Sequence, residues 1–231
     1  MQYRLVGTKA IEIYWKETNQ DLLSERHAAA QSIQDYYGHK VAVNEGYQTI
    51  LILLLSSKLN TNTVILEVKD LLSVLKTNFI SKPQTWKLPV YYDVDGQDLI
   101  ELSTSCHLSR ESVIEKHLLG LYQVEFIGFL PGFPYLSGLS QELQIPRKQT
   151  PSRSIPAGSV AVAAGQCGIY PQESPGGWYV LGRTPVSLFD VNRAQPGFLE
   201  IADNVSFYKI DKAEFEFLKS ENLNPEKFLN G

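Results

Sequence analysis

The stretch GFLPGFPYLSGLSQELQIPRKQTPSRSIPAGSVAVAAGQCGIYPQESPGGWYVLGRTP, residues 128–185, decides how this chain can fold. It holds nine of the sixteen glycines and eight of the twelve prolines. Glycine reaches backbone conformations closed to other residues, and proline fixes φ and lacks an N–H donor. A helix is therefore excluded, and the stretch is too apolar for a linker or a disordered tail. We predict short strands joined by tightly specified turns, which together hold polar groups on a shaped surface.

The composition of the whole chain is that of a soluble globular protein. Of its 231 residues, 43% are hydrophobic and 20% are charged, and the formal net charge is -4. With this net charge, the protein has no overall positive potential that would attract nucleic acid or an anionic membrane. The opening residues lack a signal pattern, and the longest apolar run, 50–55, is too short to span a bilayer. We expect a cytoplasmic protein without a disulfide framework, because its two cysteines are irregularly spaced.

The first ninety residues alternate between strand and helix patterns. The predicted elements are two strands within 3–15, a helix over 19–37, strands over 39–44 and 48–55, a helix over 63–77 and a strand over 86–92. Asn60 or Thr61 is expected to cap the second helix. This order predicts an α+β fold with a small, mostly antiparallel sheet covered by helices.

From residue 98 the pattern changes to two short helices and then to many short strands. The predicted elements are helices over 98–106 and 109–119, strands over 122–129, 159–164, 178–182, 186–190, 198–201 and 205–210, and a terminal helix over 212–228. Strands at this spacing predict a barrel or a sandwich. We place an N-terminal α+β domain at 1–85 and a β-barrel domain at 86–231, with a boundary segment within 79–96.

Two clusters of the glycine- and proline-rich stretch carry distinctive side chains. Residues 128–139 interleave Phe133 and Tyr135 with prolines and glycines, which predicts either a core plug or the wall of a small-ligand pocket. Residues 146–159 place Arg147, Lys148 and Arg153 on a backbone stiffened by three prolines. That strip is either a solvated basic surface or a rigid cationic site for a carboxylate or phosphoryl group.

A third cluster, residues 165–185, places Glu173 and Ser174 immediately before a turn at Gly176–Gly177. Exposed N–H groups at such a turn can form an anion-binding nest. Glu173 is a candidate base, and Gln166 and Tyr170 are candidate hydrogen-bond partners. His117, in the last turn of a predicted helix, is a candidate site residue or a capping and packing histidine.

The sequence lacks the motifs of several common kinds of catalytic and nucleotide-binding site. There is no GxxxxGK[ST] phosphate loop, GxGxxG, HExxH or GxSxG. The four histidines are scattered, and we predict no metal site.

Three motifs, GFLPGFPYLSGL, PRKxTPxRxxPAGSV and GIYPxESPGGWxxxGRTP, closely resemble the 5-oxoprolinase B-subunit family. That family is also called allophanate hydrolase subunit 1 and includes the kinase A inhibitor of sporulation control. The resemblance is most specific over 120–210 and covers most of the chain. It implies a small N-terminal α+β sandwich followed by a cyclophilin-like β-barrel.

The resemblance also implies a function within a complex. The chain would act with the sister C and lactam-opening A subunits of 5-oxoprolinase, converting 5-oxo-L-proline to L-glutamate with ATP, and would be inactive alone. By analogy with a carboxyltransferase relative, Arg147, Lys148 and Glu173 are the candidate catalytic residues. The candidate substrate-binding residues are Phe133, Tyr135, Arg153, Gln166, Tyr170, Ser174, Gly176, Gly177, Arg183 and His117.

Other functions remain open at this point. One is a non-catalytic inhibitor that docks on a sensor histidine kinase. Another is a carboxyltransferase-type subunit of a urea carboxylase or allophanate hydrolase system. Prolyl isomerase activity is the weakest alternative, because fold does not imply function and no isomerase constellation is evident.

Overall fold

The computed structural model describes residues 1–16, 22–75, 83–221 and 223–230. The chain forms two compact units, residues 1–82 and 83–231. Each unit has its own hydrophobic core. Mixed helix and strand content with a closed barrel confirms the predicted fold class.

In residues 1–16 and 22–75, the first unit is a four-stranded antiparallel sheet with two α-helices. Its elements are β1 (Gln2–Val6), β2 (Ala10–Tyr14), α1 (Leu22–Tyr37), a short 3-10 helix (Gly38–Lys40), β3 (Val41–Glu45), β4 (Thr49–Leu54) and α2 (Thr61–Ser73). The strand order is β1-β2-β4-β3. Alternate residues such as Ile13 and Ile52 are fully buried and share a core with Ile33 of α1 and Val64 of α2. Asn60 caps α2, as predicted, since its side chain accepts from two backbone N–H groups.

The second unit contains nine strands and three helices within the described residues. Its elements are β5 (Thr85–Tyr92), α3 (Gln97–Cys106), α4 (Arg110–Leu118), β6 (Tyr122–Ile127), β7 (Pro134–Ser137), β8 (Ser152–Ile155), β9 (Ser159–Ala163), β10 (Gln166–Ile169), β11 (Ser174–Gly176), β12 (Tyr179–Arg183), β13 (Asn204–Ile210) and α5 (Lys212–Glu221), with 3-10 helices at Gln141–Leu143 and Pro225–Phe228.

Seven of these strands close into a barrel in the order β10-β7-β6-β13-β5-β12-β9. The pairing of β13 with β5 is parallel and the other pairings are antiparallel. Strands β8 and β11 form a separate two-stranded sheet. The strand that the sequence analysis counted with the first ninety residues, 86–92, therefore belongs to the barrel.

Asp203 closes the barrel where β5 and β13 begin. Its buried carboxylate accepts hydrogen bonds from the indole Nε1 of Trp86 at 2.9 Å and from the backbone N–H groups of Gln84 at 2.8 Å and Glu200 at 3.0 Å. A buried carboxylate with three donors is well satisfied, and it joins two chain segments, 84–86 and 200–203.

Two predicted strands are wrong. Residues 186–190 and 198–201 have buried apolar side chains, but each lacks a strand partner along its length; the single bridge there joins Phe189 to Gly197. The intervening chain turns at Asp190, whose side chain accepts from the backbone N–H of Asn192. Alternating burial is therefore achieved here by an irregular loop packed on the barrel.

Helix ends also differ from the prediction. The expected single helix over 212–228 is α5 followed by a separate 3-10 helix, because Asn224 caps a new start with Pro225 in its first turn. Residues 19–21 and 76–77 of the predicted helices, part of the boundary segment and residue 222 lie outside the described residues. No helix in the described ranges is long and apolar enough to cross a membrane.

Candidate functional site

The glycine- and proline-rich stretch encloses a pocket of about 260 Å³ in the second unit. The pocket lies where the loop before β7, the segment before β8, and the turn between β11 and β12 converge. It is lined by Phe129, Phe133, Tyr135, Arg147, Pro151, Tyr170, Pro175, Gly176, Gly177 and Trp178. Six of the predicted site residues are therefore brought together: Phe133, Tyr135, Arg147, Tyr170, Gly176 and Gly177.

Aromatic rings in mutual contact form the wall of the pocket. Phe133 lies edge-on to Tyr170, with ring centroids 5.1 Å apart, and to Trp178 at 5.7 Å. Tyr135 also contacts Trp178 at 5.7 Å. Phe133, Tyr170 and Trp178 are almost completely buried. Such edge-to-face contacts hold the rings in fixed orientations, so the wall is preorganised for a flat ligand.

A glycine behind the wall allows this packing. A Cβ atom at Gly168 of β10 would lie 2.6 Å from Cζ of Phe133 and 2.9 Å from Cζ3 of Trp178. Any larger residue there would push both rings out of place. The sequence analysis did not single out Gly168, because one glycine within a strand gives no hint of which rings lie above it.

In the SPGG turn, Ser174–Gly177, the two glycines place backbone atoms next to the pocket. A Cβ atom at Gly176 would lie 2.3 Å from the Tyr170 hydroxyl oxygen, so only glycine fits beside that phenol. The carbonyl oxygen of Gly177 accepts a hydrogen bond from the backbone N–H of Lys148 at 2.8 Å. The cationic strip and the SPGG turn are thus joined directly by their backbones.

Arg147 supplies the positive charge of the pocket. Its side chain is exposed, and its guanidinium carbon lies 5.7 Å from the centroid of the Trp178 ring. Within the described part of the chain, no carboxylate pairs with it. A guanidinium placed over an aromatic ring and free of such a partner can bind a carboxylate through two parallel hydrogen bonds.

The two pocket tyrosines are neutral hydrogen-bond donors. Burial raises the pKa of Tyr170 to about 12, and a neighbouring Tyr135 adds to that effect while Arg147 opposes it. Burial also raises the pKa of Tyr135, again against the influence of Arg147. Both phenols therefore keep their protons across the physiological range and can donate to a ligand oxygen.

Lys148, the neighbouring candidate, does not line the pocket. Its ammonium group pairs with Asp98 of α3 and donates to the hydroxyl of Ser152 at 2.9 Å. Its side chain is only 9% exposed. Lys148 is therefore engaged within the protein and is not positioned to meet a ligand in this pocket.

Glu173, Ser174 and Arg153 lie on or beside the β8–β11 sheet and do not line the pocket. Glu173 is exposed, and its carboxylate accepts from the hydroxyl of Ser154 at 2.7 Å. The Ser174 hydroxyl donates to the carbonyl of Pro175. Arg153 is exposed on the same sheet. These residues form a polar surface next to the SPGG turn rather than the pocket itself.

Two further candidates lie elsewhere in the barrel. Gln166 begins β10, opposite Ala163. Arg183 donates to the carbonyl of Ala157 and lies 5.6 Å from the ring of Phe215. Neither lines the pocket.

His117 lies in the barrel core and has no exposed surface. Its Nδ1 is 2.7 Å from the Tyr92 hydroxyl, and its ring stacks on Phe207 at 4.8 Å. Its Nε2 is 3.5 Å from Sγ of Cys167. Burial lowers the pKa of His117 to about 3, so the imidazole is neutral. The position of His117 therefore favours a packing role over a role in the site.

Phe129, Trp178 and two prolines of the lining were not among the candidate residues. Phe129 is 60% exposed, and its backbone has φ of 65°, a conformation that non-glycine residues rarely adopt. It contacts Phe133 at 5.5 Å at the mouth of the pocket. Its position at the mouth depends on that unusual backbone conformation, which the sequence does not reveal.

No metal centre is evident in the described ranges. Three or more His, Cys, Asp or Glu side chains do not converge there in a way that could hold a metal ion. The pocket contains one cation, two phenols and no carboxylate among its described lining side chains. Such a lining can pair with an anionic group through the guanidinium and can contact an apolar group through the rings.

The chain is similar in sequence and in fold to several known proteins. Residues 1–199 match the model of the carboxyltransferase domain, subdomain C and D. A Bacillus subtilis protein, named as the B subunit of 5-oxoprolinase, is 38% identical over 157 residues, which are 68% of this chain and 65% of that protein. A Haemophilus influenzae protein of the same name is 45% identical over 122 residues, 52% of this chain and 57% of that protein.

The matched regions thus span about three-fifths of these curated relatives. A crystal structure of Kluyveromyces lactis urea carboxylase is similar in fold, with a TM-score of 0.77 over 95% of this chain and 22% of that chain. Sequence identity there is 19%, so this likeness concerns the fold alone. Because the family model covers most of its length, the chain belongs to the family of the carboxyltransferase domain, subdomain C and D.

Proposed function

We propose that this chain is the B subunit of an ATP-dependent 5-oxoprolinase, and that its aromatic pocket binds the substrate. The observation that carries the proposal is the Arg147 guanidinium, without a carboxylate partner among the described residues, held over Trp178 at the mouth of a small aromatic pocket. The substrate, 5-oxo-L-proline, is a flat five-membered lactam with one carboxylate. A site with an available cation and aromatic walls is complementary to both parts of that molecule.

The lining residues suggest how the substrate is held. The carboxylate pairs with Arg147, and the lactam ring lies against the rings of Phe133, Tyr170 and Trp178. The protonated hydroxyl of Tyr170 or Tyr135 then donates a hydrogen bond to the lactam carbonyl oxygen. These contacts fix the lactam in one orientation, which lowers the entropic cost of the reaction.

The same phenols assist activation of the lactam. In the proposed reaction the lactam carbonyl oxygen attacks the terminal phosphorus of ATP, an O–P bond forms, and the bond from that phosphorus to ADP breaks. As the lactam oxygen bonds to phosphorus, the lactam N–H gives up its proton to solvent, and the fixed phenol donor keeps that oxygen directed at the nucleotide. One water molecule then adds to the activated carbon and the C–N bond breaks, which gives γ-glutamyl phosphate; a second water molecule hydrolyses this acyl phosphate to L-glutamate and phosphate.

ATP itself does not fit this pocket. A volume of about 260 Å³ is just below the range of roughly 300–1,000 Å³ that is usual for ligand sites, which suits one small ring and not a nucleotide. The sequence also lacks a phosphate-loop motif. We therefore assign nucleotide binding and ring opening to the sister C and A subunits, and assign lactam recognition to this chain.

A second candidate is a carboxyltransferase-type subunit of a urea carboxylase or allophanate hydrolase system. The match to the carboxyltransferase domain over residues 1–199 favours it. Urea itself carries no carboxylate, and in that system a carboxylate would meet Arg147 only in the carboxylated product, whereas 5-oxo-L-proline brings one as the substrate. The available cation is the reason to rank the oxoprolinase first.

Reconstitution tests the proposal. This chain is coexpressed with the A and C subunits from the same source, and L-glutamate formation from 5-oxo-L-proline is measured with and without ATP. We expect ATP-dependent glutamate only when all three chains are present. ATP hydrolysis stimulated by urea and not by 5-oxo-L-proline would instead support the carboxyltransferase candidate, and activity without this chain would refute its role.

A further inference from the structure

One carboxylate outside the pocket connects the two segments that carry Arg147 and Trp178. Asp98 lies in the first turn of α3. Its Oδ1 pairs with the ammonium group of Lys148, the residue after Arg147. Its Oδ2 accepts a hydrogen bond from the backbone N–H of Val180, two residues after Trp178, at 2.9 Å.

This arrangement is sheltered from solvent. The side chain of Lys148 is 9% exposed and that of Asp98 is 21% exposed. Lys148 donates in addition to Ser152 at 2.9 Å, so its ammonium group is held from two sides. Removing one member of a sheltered ion pair leaves the other charge without compensation, and the local structure then rearranges.

A backbone hydrogen bond links Lys148 directly to the turn that lines the pocket. The N–H of Lys148 donates to the carbonyl of Gly177 at 2.8 Å, so the residue after Arg147 is bonded to the residue before Trp178. Asp98 holds the same two segments through Lys148 and Val180. The backbones that carry Arg147 and Trp178 are therefore joined on both sides, and the guanidinium carbon of Arg147 lies 5.7 Å from the centroid of the Trp178 ring.

We propose that Asp98 is a positioning residue, which acts through Lys148 and Val180 to hold Arg147 over Trp178 for recognition of the substrate's carboxylate. The inference rests on the proposed function for the identity of that substrate. It also changes the role of Lys148, which becomes the connection between Asp98 and the cationic strip instead of a group that meets the ligand.

The test compares Asp98→Asn with Asp95→Asn in the reconstituted complex. Asp95 is an exposed carboxylate near α3, with an 88% exposed side chain, so it is a matched control. Two constants are measured, KM for 5-oxo-L-proline and the inhibition constant of 2-pyrrolidinone, the same lactam without the carboxylate. We expect Asp98→Asn to raise that KM about tenfold, as a small misplacement of a binding group does. The inhibition constant of 2-pyrrolidinone should stay unchanged.

A general loss of structure would weaken both ligands equally and would overturn the proposal. Lys148→Met provides a second route, because it removes the ion pair and keeps the bond from Asp98 to Val180. If Asp98 acts through Lys148, the double variant should raise KM no more than Asp98→Asn alone. If the increase in KM of the double variant equalled the product of the increases of the two single variants, the proposed connection would be contradicted.

A readout without substrate separates this inference from the proposed function. The indole N–H resonance of Trp178 is followed in chain labelled with ¹⁵N-tryptophan and is assigned with Trp178→Phe. Asp98→Asn should shift that resonance, whereas Asp95→Asn should leave it in place. A shift with no turnover of 5-oxo-L-proline by the wild-type complex would refute the proposed function and retain the positioning role. An unshifted resonance would refute the positioning role.

Discussion

The buried histidine of the barrel core makes the stability of the second unit depend on pH. His117 is fully buried, and the groups that face it are the Tyr92 and Tyr122 side chains, the Cys167 thiol and the Phe207 ring. Burial raises the pKa of Tyr92, Tyr122 and Cys167, so all of these groups are uncharged. None of them carries a negative charge that could compensate an imidazolium.

The direction of the effect follows from proton linkage. Burial lowers the pKa of His117 in the folded state from 6.5 to about 3. Between these values the unfolded chain binds a proton that the folded chain does not, so stability is present above pH 6.5 and is lost as pH falls towards 3. At pH 4.5, about two pH units below the unfolded value, the loss is about 3 kcal/mol, since each unit corresponds to about 1.4 kcal/mol. That is a large part of the roughly 5–15 kcal/mol typical of a domain.

The perturbation is His117→Asn, which keeps a polar group beside the Tyr92 hydroxyl and removes the titration. Urea unfolding is followed by tryptophan fluorescence in a Trp15→Phe background, so that only Trp86 and Trp178 of the second unit report. The difference in unfolding free energy between pH 7 and pH 4.5 should be about 3 kcal/mol smaller in the variant than in the parent chain.

His107→Asn is the matched control. His107 is an exposed residue with φ of 55° at the end of α3, where asparagine is also well accommodated. If His117→Asn retained the full pH dependence of the parent chain, the reasoning from burial would be refuted. A pH dependence lost equally in both variants would refute it as well.

Two further substitutions test the packing described above. Gly168→Ala places a methyl group against Phe133 and Trp178. We expect it to lower the free energy of unfolding in urea by about 1–3 kcal/mol and to weaken the binding of 5-oxo-L-proline in titrations followed by NMR. Unchanged stability and affinity would contradict the account of the aromatic wall. Asp203→Ala leaves the indole of Trp86 and two backbone N–H groups without an acceptor. It should lower the free energy of unfolding by about 3 kcal/mol or more. A decrease below about 1 kcal/mol would show that this carboxylate does not stabilise the barrel.

Periodic elements of the first unit could be predicted from sequence because one face of each is buried. Alternation at Ile11 and Ile13 indicated β2, and the expected cap at Asn60 or Thr61 indicated the start of α2 to within two residues, since the helix was predicted from 63 and begins at Thr61. In the second unit, β7, β8, β10 and β11 are three or four residues long. Such strands are too short to show a period, so their pairing depends on contacts with distant segments.

The site shows the same division between local and distant information. The turn residues and aromatics of one stretch predicted either a core plug or the wall of a pocket, and the structure brings Phe133, Tyr170 and the Gly176–Gly177 turn together around a pocket. The sequence analysis treated Arg147 and Lys148 as equivalent cations. Their difference arises from Asp98, which is fifty residues away from Lys148 in sequence and pairs with only that one of the two. Local sequence patterns carry no information on such an ion pair.

The central claim is that Arg147 binds the carboxylate of 5-oxo-L-proline, and the most direct test is its substitution in the reconstituted complex. Arg147→Met removes the charge and keeps an apolar stem, and Arg153→Met makes the same change on the nearby β8–β11 sheet, outside the pocket. We expect Arg147→Met to lower kcat/KM for 5-oxo-L-proline by roughly 10- to 100-fold, as loss of a hydrogen-bonded charge does, and Arg153→Met to change it less than about threefold. Equal kcat/KM in Arg147→Met and the wild-type complex would contradict the account.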